Sequence, residues 1–306
     1  MTRAFLAGLF SVIAVSIVFS QEPELGAPLD PAQFTFHRTV PGGARVPVAL
    51  QLDAFALAHS RGPSEHFADV RILDSSNRQV PYVIEHRDDP LVVPLAPERA
   101  DAPASSPASI KRSNWSTYRL RLPCADLPAS QIAIETSARV FQRGVQLAVL
   151  RQADRHSRAP RLETVAAATW GHVATDEDAA VALTLSVIPG DASELWLSID
   201  EGDNSVLPIT AVRLLLPSYR VRFYRPTPSP LLLVYGRTDV LAPRYDLALV
   251  SGDLLNADAA EVTPSAERPT DTRRSQLISP TQFWIFLSIA VAVLLALIVH
   301  LTRRRT

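Results

Sequence analysis

The 306-residue sequence predicts a mainly β protein: two antiparallel β-sandwich or jelly-roll-like modules followed by a single C-terminal transmembrane α-helix. Three observations predict it. Short runs of alternating apolar and polar residues recur through the middle of the chain, separated by turn-forming residues. No long amphipathic helical period interrupts them. One apolar run long enough to cross a bilayer stands near the carboxyl terminus.

Residues 1–20 carry one charge, Arg3, ahead of an apolar and small-residue stretch from Ala4 to Phe19. Val18 and Ser20 occupy the small-residue positions that signal peptidase reads, so cleavage is expected between Ser20 and Gln21, with an uncleaved anchor as the alternative. Residues 21–87 form the expected N-terminal β module. There FTFHRTV sets Phe34 and Phe36 on one face, and RVPVALQL sets Val46, Val48, Leu50 and Leu52 together. ADVRIL and VPYVIE flank the turn-forming DSSNRQ and predict a hairpin, and DAFALAHS predicts a short helical turn.

Residues 88–113 hold Pro90, Pro94, Pro97, Pro103 and Pro107. Prolines at that density remove ladder donors, so a linker or long surface loop and a domain boundary are expected there. Residues 114–252 form the second module, a jelly-roll-like sandwich. TYRLRL, IAIET, GVQLAVL, VALTLSVI, ELWLSID, ITAVRLLL, YRVRFYR, LLLVYG and DLALV are its strand candidates, with PGD, EGDN and RPTPSP as turns. Residues 253–280 are polar without a sustained period and are expected as a juxtamembrane stalk.

Residues 281–301 contain a single ionisable side chain, His300. At about 1.5 Å per residue such a helix spans roughly 30 Å of hydrocarbon, and its backbone amides pair within the segment. Arg303, Arg304 and Arg305 in the tail, residues 302–306, oppose Arg273 and Arg274 upstream, which predicts an amino terminus outside and a carboxyl terminus in the cytoplasm. Trp284 stands near the outer boundary, where an indole buries its ring and keeps its N–H wet. These four residues, Trp284 and the arginine triplet, are the expected membrane anchor, with the lipid bilayer as partner.

HFADVRILDSSNRQVPYVIE in the first module and LVYGRTDVLAPRYDLAL near the end of the second resemble the bacterial family catalogued as domain of unknown function 3999. The resemblance implies an exported, β-rich, C-terminally anchored envelope protein and carries no catalytic residues. The second module is also similar in strand pattern to galactose-binding or discoidin-like jelly rolls, many of which bind glycans.

Without Arg3 and the tail arginines, 26 basic residues face 31 acidic ones, and this balance excludes nucleic acid as the expected partner. Cys124 is the lone cysteine, so no intramolecular disulfide forms; at a strand end it reads as a small buried hydrophobe. No GxSxG, phosphate-cradling glycine loop, HExxH or CxxC occurs. His59 and His66 lie near Glu65 and Asp69, a spacing that fits solvated loop histidines better than a metal site.

Three patterns suggest ligands. In YRVRFYR, Tyr219, Val221 and Phe223 share one face and leave Arg220, Arg222 and Tyr224 on the other, a set suited to anionic or sugar-like polymers, set against the simpler reading of a solvated strand face. Trp115, Trp170 and Trp196 are further stacking candidates, with Trp170 favoured and Trp196 expected to be packed. The turn around Asp200, Asp203 and Asn204 offers oxygens for Ca²⁺, set against an ordinary acidic hairpin turn. The expected function is non-enzymatic: a periplasmic, membrane-tethered protein that binds or scaffolds another envelope component, such as a membrane protein. A tethered glycan-binding module is the alternative. An envelope-polymer hydrolase is the third reading and needs a carboxylate pair in a cleft.

Overall fold

The computed structural model describes residues 24–103, 114–151, 160–173, 182–247 and 251–270, with 284–285, 287–289 and 291 beyond them. The expected signal peptide, most of 281–301, and Arg303, Arg304 and Arg305 lie outside the described residues. Those of 281–301 that are described are helical, and Trp284 is exposed. Among the described residues no helix is long and apolar enough to cross a membrane.

The strands in chain order are β1 Phe36–Val40, β2 Pro47–Leu52, β3 Arg71–Leu73, β4 Val83–Leu95, β5 Pro97–Arg99, β6 Trp115–Arg121, β7 Ser130–Thr136 and β8 Val140–Arg151. They continue as β9 Arg161–Val173, β10 Leu183–Val187, β11 Glu194–Asp200, β12 Ile209–Tyr224, β13 Leu231–Tyr235, β14 Ala260–Val262 and β15 Arg268–Pro269. Two short α-helices, α1 Ala54–His59 and α2 Ser251–Asn256, stand among the described residues of the body. The mainly β, sandwich-like architecture agrees with the sequence pattern. DAFALAHS forms α1 as expected, and Asp53 caps it by accepting from the amide of Ala56.

Among the described residues the strands form three sheets. One runs β15-β1-β13-β3, one runs β5-β6-β11-β8-β9, and one runs β10-β7-β12-β2-β14 with β4 on the remaining edge of β12. The alternation read in the sequence is what faces the core: Leu120, Leu195, Leu197, Ile199, Ile132, Ile134, Val212 and Leu214 are buried in one cluster that also takes Leu50, Leu52, Val221 and Phe223. Full burial of each such aliphatic side chain contributes about 1.5–3 kcal/mol.

The two long strands β4 and β12 carry the architecture. One edge of β12 pairs with β7 from Ile209 to Leu215 and then with β2 from Tyr219 to Tyr224, while β4 follows its other edge. ITAVRLLL and YRVRFYR are therefore one strand. The stretch expected as a linker is strand through Leu95, because Pro90 and Pro94 lie on an edge strand where a missing N–H costs no second ladder. Residues 104–113 of that stretch lie outside the described residues.

The DSSNRQ turn forms, with Asp74 Oδ1 accepting from the amides of Ser76 and Arg78 at 2.8 Å. The hairpin it was expected to close does not continue: β3 pairs with β13, and β4 joins β12 in another sheet. β9 was not expected as a strand, since its alanine run shows no alternation. In DLALV, residues 246–247 are a turn and 248–250 lie outside the described residues.

The expected stalk is docked on the body as far as residue 270. β14 lies parallel to β2 and β15 antiparallel to β1, and Leu254 of α2 is fully buried. Arg38 Nε donates to the Ser265 carbonyl at 2.6 Å, and Arg222 Nη1 donates to that of Leu254 at 2.7 Å. Glu267 takes the Tyr235 hydroxyl at 2.8 Å and lies 2.9 Å from His59 Nδ1. These bonds run to backbone carbonyls and to side chains remote in sequence, so no local period announces them.

Candidate functional site

An open cleft of about 910 Å³ lies where two of the three sheets break register, at β4–β12 and at β8–β9. Pro217 has no N–H to place in a ladder, and β12 changes neighbour from β7 to β2 around it. Opposite it the pairing jumps from Leu216↔Leu91 to Ser218↔Arg87, so Asp88, Asp89 and Pro90 bulge against one residue. Across the cleft β9 has its own irregularity: Leu147 pairs with Ala166 and Ala148 with Thr164, which leaves Val165 unpaired in the ladder. Ser186 to Ile188 of the β10 end and Ala129 to Gln131 of the β7 start complete the walls.

The lining mixes apolar and hydrogen-bonding groups. Val165, Val187, Leu215 and Pro217 supply the apolar surface, and Arg87, Asp88, Gln131, Glu163 and Ser186 supply the polar one. Arg151 holds Glu163 at 3.0 Å and Asp191 at 2.8 Å, which fixes one rim of the cleft. The His86 ring packs on Tyr219 at 5.0 Å between centroids. Ser130 is buried, and its Oγ has no hydrogen-bond partner among the described residues.

β9 and β10 also end their sheets. Among the described residues β9 pairs only with β8 and β10 only with β7, so each offers a free edge of backbone donors and acceptors beside the cleft. Exposed Ile188 continues the apolar surface past the end of β10.

The residues read from the sequence as ligand contacts lie elsewhere. Arg222 is buried: it donates to the carbonyls of Leu254, Leu255 and Ala257 and its Nε stands 3.0 Å from Glu85. Arg220 pairs with Glu261 at 2.8 Å, so β14 and α2 cover the face that the strand pattern left open. Tyr224 is half-buried at the end of the same strand. Trp170 is only 5 % exposed and meets Phe141 edge to face at 5.0 Å, so its ring lies in the core. Trp196 is buried as expected.

The acidic turn is closed on itself. Asp200 Oδ1 accepts from the Gly202 amide at 3.1 Å, and Asn204 Nδ2 donates to the Glu201 carbonyl at 3.1 Å; among the described residues no three ligating side chains converge. Asp203 adds no ligand to this set. The residue that organises the turn is Glu201, buried, held by Arg143 Nε at 2.9 Å and by the Leu207 amide at 3.2 Å. Gly202, at φ +58°, makes the turn possible. Cys124 is half-buried, and burial pushes its thiol up to about 11.

Fold and site together describe a mainly β, sandwich-like protein with an open cleft between two free sheet edges. No family model and no curated protein matches the chain. Among solved structures it is similar to the N-terminal CBM22-1–GH10 modules of the Clostridium thermocellum endo-1,4-beta-D-xylanase 10B complexed with xylohexaose. That match has 10% identity and a TM-score of 0.17, over 45% of this chain and 28% of that one. A second similarity is to the CBM22-1 xylan-binding domain of Paenibacillus barcinonensis Xyn10C, at 13% identity and a TM-score of 0.18, over 51% and 93% of the two chains. A third is to the stem and receptor binding domain of the spike protein P1 from bacteriophage PM2, at 10% identity and a TM-score of 0.21, over 66% and 91%. At these scores the likenesses assign neither fold family nor function.

Proposed function

We propose that this chain is a non-enzymatic, membrane-tethered protein of the bacterial envelope that takes an extended segment of another envelope protein along the β9–β10 seam. The observation that carries the reading is the pair of free sheet edges flanking one open cleft. Strand addition takes its affinity from main-chain bonds and its specificity from side-chain pockets, and both are available here. The apolar run at 281–301 and the resemblance to domain of unknown function 3999 support the envelope location. Residues 251–270 dock on the body, so ten residues, a reach of at most about 35 Å, separate it from the apolar run at 281–301.

The test is a titration of the full chain in detergent with labelled extended peptides and, separately, with neutral oligosaccharides. Peptides are expected to bind, and Thr164→Lys or Ser186→Lys, which put a charge on the edges, to weaken them by about tenfold. Unchanged peptide affinity in both variants, or saturable binding of oligosaccharides alone, overturns the reading. Location is tested separately: protease added to intact spheroplasts is expected to digest the β-rich body, and carbonate to leave the chain in the membrane.

A further inference from the structure

β13 ends at Tyr235, and the chain turns sharply at Gly236, with φ +87°. The root of the loop that follows is fixed. Buried Asp69 accepts from the amides of Gly236 and Arg237 at 2.6 and 3.2 Å, and Arg237 Nε stands 2.7 Å from Asp239. Its tip is fixed from beneath as well: Arg61 Nη1 donates to the Val240 carbonyl at 2.9 Å, and Nη2 of buried Arg71 donates to the Leu241 carbonyl at 2.6 Å. On this clamped backbone the Leu241 side chain stands 86 % exposed, and Ala242 beside it is exposed too. An exposed leucine by itself identifies nothing. Its position in the fold does.

The loop springs from the place where the docked C-terminal segment leaves the body. The Thr270 amide, at the end of that segment, donates to the Thr35 carbonyl at 2.8 Å, and Thr35 Oγ1 donates to the Gly236 carbonyl at 2.7 Å. Thr35 thus ties the root of the loop to the exit point. From there ten residues, at most about 35 Å of chain, lead to the apolar run at 281–301. Arg268 stands on β15 two residues before the exit and Arg244 three residues past Leu241; both are exposed, and among the described residues neither pairs with a carboxylate. Asp239 is answered by Arg237, which leaves Asp246 of the loop against these two cations.

We infer that the 237–244 loop docks on the bilayer that tethers the chain, with Leu241 and Ala242 entering the headgroup boundary and Arg244 and Arg268 meeting the phosphates of anionic lipid. This rests on the membrane-tethered reading above and adds an orientation to it. The apolar tip leaves water, and the guanidiniums exchange mobile counterions for lipid phosphate. The occupant is a lipid surface because a ten-residue tether makes the encounter of this loop with the bilayer intramolecular. A tether alone leaves the body free to turn within its reach. The clamped loop turns one face of it toward the lipid, and none of its residues lines the β9–β10 cleft.

The experiment uses the full chain reconstituted into vesicles of phosphatidylcholine, with and without phosphatidylglycerol. In a Cys124→Ser background an environment-sensitive fluorophore is attached at Ala242→Cys and, for reference, at Val173→Cys, a position 72 % exposed at the end of β9. With phosphatidylglycerol present, the label at 242 is expected to shift to the blue and to lose most of its emission to headgroup-proximal doxyl lipid, while the label at 173 keeps its spectrum in water. Leu241→Ser is expected to return the 242 label to water, and Arg244→Gln and Arg268→Gln each to lower the docked-to-free ratio by about fivefold. In the unmodified chain the amides of 238–244 are expected to exchange hydrogen more slowly in vesicles with phosphatidylglycerol than without, which decides the matter if the labelled chains fail to fold. A chain that floats with the vesicles while these amides exchange equally in both, or whose two labels respond alike, overturns the docking and leaves the tether standing. A chain that does not float with the vesicles overturns both.

Discussion

Arg222 Nη1 donates to the carbonyl of Leu254 at 2.7 Å, across 32 positions of sequence, and this single contact converts an expected ligand surface into an internal clamp. The same guanidinium also serves Leu255 and Ala257, closing the carbonyl end of α2, and its Nε faces Glu85. A cation at that end of a short helix meets the carbonyls that have no partner within the helix.

Arg222→Ala therefore leaves those carbonyls without their donor and Glu85 without its counter-charge. A loss of about 3 kcal/mol in stability is expected, seen as a lower melting temperature, together with proteolytic cleavage within 251–262 at protease levels that spare the unmodified chain. Unchanged melting and cleavage would remove the clamp.

Glu201→Gln removes the counter-charge of Arg143 inside the protein. Breaking one partner of a buried pair costs about 3–5 kcal/mol, so a fall in the denaturant midpoint is expected. Added Ca²⁺ is expected to leave the melting temperature of the unmodified chain where it is, because Asp200 and Asn204 already serve the turn. A calcium-dependent rise would reinstate the metal reading of Asp200, Asp203 and Asn204.

Alkaline pH is expected to destabilise the fold through its buried tyrosines. Burial raises the hydroxyls of Tyr82 and Tyr235 above their ordinary value, and pushes that of Tyr245 up to about 12. Glu267, accepting the Tyr235 hydroxyl, raises that group further. Their stabilising effect is fully present below the unfolded value of about 10 and is lost as pH rises through the folded values. Tyrosinate absorbance is expected to show early titration of the accessible tyrosines and late titration of these, coincident with loss of near-ultraviolet dichroism; simultaneous titration of all six would refute it.

Cys124 is expected to react slowly with iodoacetamide at neutral pH in the folded chain, since a thiol raised to about 11 holds little thiolate. Denaturant is expected to accelerate labelling at fixed pH. Equal rates in the folded and unfolded chain would contradict the burial that raises the thiol.

The sequence by itself determined the β class and which faces of β2, β6, β11 and β12 turn inward, because a period of two is a property of neighbouring residues and survives any arrangement of the strands. It also contained Pro217, whose position inside an apolar alternation marks a break in a ladder, although the cleft there needs the bulge at Val165 as well. Only the tertiary structure decided that β4 continues through the proline-rich stretch, that residues 251–270 fold back onto β1 and β2, and that Arg222 and Trp170 are buried while Thr164 and Ser186 stand beside the cleft. Which face of an alternating strand meets water is settled by what lands on it, and here the covering segment arrives from the far end of the chain.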